Sequence, residues 1–571
     1  MIGADMGNGL GARGDTDARI LRFGIMCRST VFPAWQALCL QELRRVPGVQ
    51  LALLITESEQ PSGLNRVKGI HTEKLVFQVY WQMIRPLAFR PVDLSGDLRG
   101  VPTLQCRVVT KGRFSQHFRD EDLSRIREAN LDFILRFAFG ILRGEVLRSA
   151  TYGVWSFHHD DERKYRGGPP CFWEVANGDP VTGAILQKLT NRLDSGTILR
   201  RGSFQTQQHS LRRNIDLVHF GAAQWPSQVA RDLLAGRDSY LNALPSNTSA
   251  PILRAPNNVE VLRFFGREVQ VKVRRIRNAI RAHEEWSIGI VDEPIWRFLE
   301  PGHRPRVRWF APPGSDRFVA DPFGLSVDGE IWIMYEDFRY KTSTGVIAAV
   351  RAGDLNIPAE PRVAIQLPFH ASYPYLLVHR GQVYCIPETH LAQEVRLYHA
   401  IDFPYKWELA ATLLEGFPAL DSTVFSHEGR WWLFCTRQGV GKDTQLFVWH
   451  SRDLEGPWEA HELNPVKYDV TSARPAGTPF VHEGNLYRPA QECSRTYGRA
   501  VVISQVTKLT PAEFAETPAV SVEPFSDGPF PTGIHTLSSV GNVTLVDGRR
   551  NRFIPNAILH ILMTQGGNPV K

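Results

Sequence analysis

The sequence predicts a two-domain protein, an α/β Rossmann-like domain on a parallel sheet followed by an all-β five-bladed propeller. Two patterns predict it. Apolar strand-like runs alternate with helical stretches as far as residue 235, and hairpins built around a turn glycine recur from residue 300 onward. At 571 residues the chain also exceeds what one hydrophobic core usually serves.

The first element, LRFGIMC (21–27), is an apolar run that reads as a buried strand. PAWQALCLQELRRV (33–46) then has helical periodicity, and VQLALLIT (49–56) is a second strand, so the chain opens on a strand–helix–strand unit. DEDLSRIREAN (120–130) is helical and leads into a strand, LDFILRFAF (131–139). Strands alternating with helices form parallel sheets covered on both faces, and ligands collect beyond the carboxyl ends of such strands. NALPSNTSAPILRAPNN (242–258) is rich in Pro, Asn and Ser and reads as a linker. Next comes a basic helical segment with Arg263, Arg267, Lys272, Arg274, Arg275, Arg277 and Arg281, either a phosphate-binding face or one solvated side of a connecting helix.

Beyond residue 300, four segments share one design: FVADPFGLSVDGEIWIMYEDF, HASYPYLLVHRGQVYCIPETH, ALDSTVFSHEGRWWLFCTRQ and GTPFVHEGNLYRPAQEC. Each has a strand, a glycine turn and a second, aromatic strand. The turn glycines Gly329, Gly381, Gly429 and Gly484 recur roughly every fifty residues, the spacing of propeller blades. TGIHTLSSVGNVTLVDG (532–548) reads as a fifth, weaker unit. The resulting division is a disordered N-terminus (1–19), an α/β domain (20–235), a linker and basic helix (236–299), a propeller (300–555) and a C-terminal tail (556–571).

Charged residues are 22% and hydrophobic residues 43% of the chain, which suits a soluble globular protein with sizeable cores. A net charge of +7 is modest for this length; it suits anionic small molecules and does not by itself indicate nucleic acid. The seven cysteines form no CxxC pair, a usage expected of reduced thiols in a cytoplasmic protein. The first twenty residues lack an apolar run, and the best apolar window, LDFILRFAFGIL, is short and interrupted by Arg136, so no secretory signal or membrane span is expected. No GxGxxG follows a strand-like run (GLGARG, 9–14, precedes the first one) and no P-loop occurs, so the common NAD and ATP sites are not expected.

The most informative stretch is WSFHHDDERKYRGGPPCFWEVANGDPVTGAILQKLTNRLDSGTIL (155–199). Acyl transfer to an amine needs a stabilised oxyanion, a route for the amine's proton and exclusion of water. A His with a partner carboxylate supplies much of the first two. The cluster HHDD (158–161) looks like metal ligands, but adjacent residues cannot all point at one ion, and no metal is assigned. The ordered motifs H-x5-KYRG-x-P, W-x3-NGD-x3-G and LDSG resemble the formyltransferase family that uses 10-formyltetrahydrofolate, over residues 20–235. By that resemblance His158 is the catalytic His that polarises the formyl group, and Asp194 assists proton transfer from the amine. The family has Asn two residues before this His; here it is Ser156, a shorter donor that stands third in the catalytic set. Phe139, Gly140, Ile141 and Leu142, with Leu189, Thr190, Asn191 and Arg192, match the loops that line the family's pterin pocket. Tyr165, Arg166 and Gly167 are expected in a substrate-side loop that glycine allows to approach closely.

The repeats of the second half resemble the domain at the start of plant glucosamine inositolphosphorylceramide transferases and, more distantly, five-bladed glycoside hydrolases of the arabinanase type. That likeness puts Asp321 (ADPF) and Asp421 (LDST) at the hydrolase carboxylate positions, with Glu492 (PAQEC) as candidate acid and Glu388 (IPETH) as its rival. Carboxylates at such positions also cap turns, and aromatics such as Trp332, Tyr335, Trp431 and Trp432 serve blade cores as readily as sugar rings.

The reading that combines these observations is an N-formyltransferase. It moves formyl from 10-formyltetrahydrofolate to the amine of an amino sugar or sugar nucleotide, with a glycan as a further partner at the propeller. Two alternatives stand beside it: a catalytically degenerate glycan-binding scaffold, and a glycoside-processing propeller using Asp321, Asp421 and Glu492. Methionyl-tRNA is a less favoured acceptor, because a propeller rather than a small barrel follows the first domain.

Overall fold

The computed structural model describes residues 19–58, 72–112, 114–312, 314–354 and 361–553, so all but the last residue of the N-terminal segment assigned to 1–19, and the whole tail assigned to 556–571, lie outside the described residues. A seven-stranded sheet organises the first half. Its order is Thr197–Gln205, Val181–Lys188, Val154–His158, Phe133–Arg136, Leu21–Cys27, Val49–Glu57, Thr103–Cys106. The last five strands are parallel; Val181–Lys188 and Thr197–Gln205 form an antiparallel hairpin along Val154–His158.

Alternation along the strands fills two cores. Phe23, Phe133, Leu135 and Trp155 pack on one face with the helices Ala34–Arg44, Leu211–Ala222 and Trp225–Leu234. Met26, Ile55, Ile134 and Val154 pack on the other with the helix Asp120–Glu128. Burial on both faces explains why these strands read as continuous apolar runs.

The strand expected over 131–139 is shorter, Phe133–Arg136. Beyond it Phe139 takes a positive φ of 67°, and the Arg136 guanidinium bonds the carbonyls of Phe139 (3.4 Å) and Gly140 (2.7 Å), which turns the chain away from the sheet. The segment read as a linker is laid across the first half. Ile252–Leu253 pairs in parallel with Arg166–Gly167, and Thr248 Oγ1 donates to the Glu162 carbonyl at 2.8 Å. The basic segment forms the helix Asn258–Arg281.

Among the described residues, the second half consists of five antiparallel sheets, four of four strands and one of five. The strand Ala282–Val291 pairs with Val543–Phe553, so the beginning and end of this half share one sheet. In the four hairpins singled out by their glycines, Asp328, Arg380, Glu428 and Glu483 precede the glycine, and both turn residues have positive φ. Two consecutive positive φ values define the type I′ turn, whose twist matches that of the flanking strands.

The two halves touch. Val470 N–H donates to the Ser203 carbonyl at 2.9 Å, covering the edge strand Thr197–Gln205. Gln228 Nε2 donates to the carbonyls of Leu463 (3.1 Å) and Pro465 (3.0 Å). Trp225 meets Tyr468 edge to face.

Candidate functional site

His158 ends the strand Val154–His158, at the carboxyl edge of the parallel sheet. Asp194 lies in the loop joining the two antiparallel strands. That loop is fixed by Gly196 N–H donating to Gln187 Oε1 (2.8 Å) and Thr190 Oγ1 donating to the Ser195 carbonyl (2.9 Å). The fold brings the pair together: His158 Nδ1 faces Asp194 Oδ1 at 3.7 Å, both side chains largely buried. His158 Nε2 donates to the Tyr165 carbonyl at 3.0 Å, which turns Nδ1 toward the carboxylate.

The KYRG loop is built around this pair. Gly167 N–H donates to Asp194 Oδ2 at 2.9 Å. Gly167 has φ 92°, and a Cβ there would stand 2.3 Å from the Leu253 carbonyl, so only glycine lets residues 252–253 close over the loop. Arg166 donates to the Leu193 carbonyl (2.6 Å), while the Tyr165 hydroxyl donates to Asp179 Oδ2 (2.8 Å) and accepts from Asn177 (2.9 Å). The NGD motif therefore holds the tyrosine of the KYRG motif.

The two loops assigned to the pterin pocket also meet. Phe139, Leu142 and Leu189 share one apolar cluster, and Asn191 Oδ1 accepts from Gly144 N–H at 3.1 Å. Gly140 N–H bonds Gln116 in a short contact. Thr190 caps its own loop, and Arg192 reaches Asn247 at 3.4 Å. Ile141 pairs with Ser115 in a small separate sheet.

Ser156 Oγ accepts from Arg136 Nε at 3.1 Å. A guanidinium thus lies beside the position where the resemblance expects an amide. The only sequence signal was a lone cation inside an apolar strand. A second feature is a carboxyl pair behind the His. Asp160 Oδ2 lies 4.0 Å from His158 Nε2, and Asp160 is hydrogen-bonded to Glu174. Burial pushes Asp160 well up and Glu174 to about 7, so the pair retains a proton. Nothing in the spacing marks these two residues as partners. The four HHDD side chains diverge: His158 toward Asp194, His159 onto the His219 ring at 3.7 Å, Asp160 to Cys171 N–H, Asp161 to Arg163.

In the second half, Asp321, Tyr373 and Asp421 occupy equivalent bulges in three successive sheets, each with positive φ. Asp321 Oδ1 and Asp547 Oδ2 flank His535 at 3.1 and 2.8 Å. Burial would lower this imidazole, but the two carboxylates outweigh it and raise it to about 10. These three side chains have the spacing of a metal site, yet both ring nitrogens already face carboxylates. Asp421 is clamped by Arg474 at 2.5 Å and Gln491 at 2.7 Å, and its N–H donates to Glu388 Oε2 at 3.2 Å. Glu336, missed in the sequence, is pushed well up by burial and by the charges of Asp321 and Glu388. Glu388 is held low, against its burial, by His390 and Arg474. Asp321, Glu388 and Asp421 thus share one cluster, whereas Glu492 bonds Arg499 in a short contact and Ser494 N–H at 3.0 Å.

Comparison with known proteins divides the chain in the same way. Residues 311–525 match the family model described as glucosamine inositolphosphorylceramide transferase 1, N-terminal. The enzyme of that name from Oryza sativa subsp. japonica is 38% identical over 208 residues, covering 35% of this chain and 28% of the relative. Methionyl-tRNA formyltransferase of Xanthomonas euvesicatoria pv. vesicatoria is 30% identical over 131 residues, covering 22% of this chain and 40% of the relative. The crystal structure of glycinamide ribonucleotide transformylase 1 from Symbiobacterium toebii superposes with a TM-score of 0.28 at 13% identity, over 40% of this chain and 94% of that one. The chain spans less than half the length of these curated relatives. It is a composite, with a formyltransferase-like first region and a second region like the N-terminal domain of the plant glycolipid transferases.

Proposed function

We propose that the first domain transfers a formyl group from 10-formyltetrahydrofolate to the amine of an amino sugar or sugar nucleotide, in the cytoplasm. The meeting of His158 and Asp194 beyond the carboxyl edge of a parallel sheet carries this reading. Phe139, Ile141 and Leu189 are half-buried apolar groups on two joined loops, and they would hold the flat ring of the donor. When bound, the donor supplies an activated formyl carbonyl. As the amine attacks, His158 would present a proton from Nδ1 to that carbonyl oxygen, and Asp194, fixed by Gly167 N–H, would accept the proton the amine loses. The carbonyl re-forms as the bond to the donor's nitrogen breaks, and that nitrogen leaves with the proton passed on from Asp194. Ser156, oriented by Arg136, is the neighbouring donor. The strap at 252–253 and the KYRG loop exclude water from one side.

The test is formyl transfer to a panel of amino-sugar nucleotides by wild type, His158→Ala and Asp194→Asn. Each substitution should lower the rate by roughly 10²–10⁴-fold, the range for loss of a positioned acid or base. Wild-type rates unchanged in both variants would overturn the reading.

The second half supports an added role. We read its five sheets as five propeller blades over 300–555, with Ala282–Val291 joining them, and the Asp321–Glu336–Glu388 cluster as a glycan site. The gathering of buried carboxyls there favours it: burial and the charges of Asp321 and Glu388 push Glu336 well up, while His390 and Arg474 hold Glu388 low. Oligosaccharide binding lost in Asp321→Asn and kept in His158→Ala supports this role; binding unchanged in both contradicts it.

A further inference from the structure

The helix Asn258–Arg281 is covered along one side only. Val261 and Phe264 are buried against the first half, where Phe264 and Phe265 meet Tyr80. Residues 272–278 are exposed one after another. This bare stretch is not polar throughout. Val259, Leu262, Val269, Val273 and Ile276 are each more than half exposed. Their spacing of three, four and seven residues aligns them in one stripe, on the face turned away from Val261 and Phe264. The adjoining helix Leu75–Ile84 adds exposed Leu75, Val79 and Met83 at intervals of four. An aliphatic stripe left bare along a helix marks an interaction site.

The charges say what covers it. The helix carries seven basic residues against Glu260 and Glu268. Lys272 pairs with Glu268, but among the described residues no ion pair engages Arg263, Arg274, Arg275 or Arg277. At 100° per residue Arg263, Arg274 and Arg277 fall along one border of the stripe. A second copy docked on the same stripe would set arginine against arginine. An anionic bilayer instead takes both features, the aliphatic stripe at the acyl boundary and the guanidinium border among the headgroup charges.

We infer that this helix is a peripheral membrane anchor, which lays Val269, Val273 and Ile276 into an anionic lipid surface and brings both halves to the bilayer face. The inference stands apart from the formyl-transfer reading. Its test is sedimentation of the full chain with phosphatidylcholine vesicles, with and without phosphatidylserine. The chain should sediment with the anionic vesicles only, less so as salt rises. V273D/I276D should abolish sedimentation, and R263E/R274E/R277E should lower partitioning on the order of a hundredfold. Both variants alter exposed side chains and should keep the wild-type melting temperature. Three results would overturn the inference: no sedimentation with anionic vesicles, sedimentation retained by V273D/I276D, or a vesicle-free dimer that I276D dissociates.

Discussion

His158 stands between two carboxyl groups, Asp194 on the Nδ1 side and Asp160 on the Nε2 side, with Glu174 behind Asp160. Glu174 titrates at about 7 in the fold against 4.5 for a free side chain. The folded state therefore binds this proton more tightly than the unfolded one. The stabilisation is complete below pH 4.5 and is lost as pH rises through 7. Glu174→Gln should flatten the pH dependence of the melting temperature in that window; a curve parallel to wild type would contradict the assignment. Arg136 is the other determinant. A lysine there keeps the charge but loses the planar fork that reaches Ser156, Phe139 and Gly140. With roughly 1–3 kcal/mol at stake for a buried group left unpaired, Arg136→Lys should lower the formyl-transfer rate about tenfold or more. An unchanged rate would show that the guanidinium contributes nothing to the site. The meeting of His158 and Asp194 was legible because ordered motifs flank them. Arg136 and the Asp160–Glu174 pair were not, since their roles arise from neighbours distant in sequence.

The elements divide along the same line between local and distant causes. The four hairpins were readable from their glycines because a type I′ turn is a local requirement on two residues. The strand over 131–139 was read too long, since apolar periodicity carries no sign of the Arg136 bonds that end it. The Pro- and Asn-rich stretch before the long helix gave no hint that Ile252–Leu253 pairs with Arg166–Gly167. In the second half, buried Arg474 pairs with Asp421 and Asp443 of one sheet while its carbonyl accepts from Gln491 N–H of the next. Arg474→Ala should cost about 3–5 kcal/mol by leaving Asp421 buried without its cation, read as a lower midpoint in urea. A midpoint shift near zero would mean that Gln491 alone satisfies the carboxylate.

At the scale of the molecule, sequence periodicity separated the two halves but could not show how they join. The covered edge strand, the Gln228 bonds and the Trp225–Tyr468 contact make the second half a wall of the first. This contact, rather than a linker, fixes the geometry between the His158–Asp194 pair and the Asp321–Glu388–Asp421 cluster. The long helix leaves the same assembly with one face bare. The central claim is that His158 and Asp194 move one carbon from folate to an amino sugar. It is tested most directly by incubating the chain with an isotopically labelled formyl donor and amino-sugar nucleotides, then following the label by NMR. The account predicts that the label appears in a sugar formamide with wild type and stays on the donor with Asp194→Asn. Label that remains on the donor with every amine offered to the wild type, or that transfers equally well with Asp194→Asn, would contradict it.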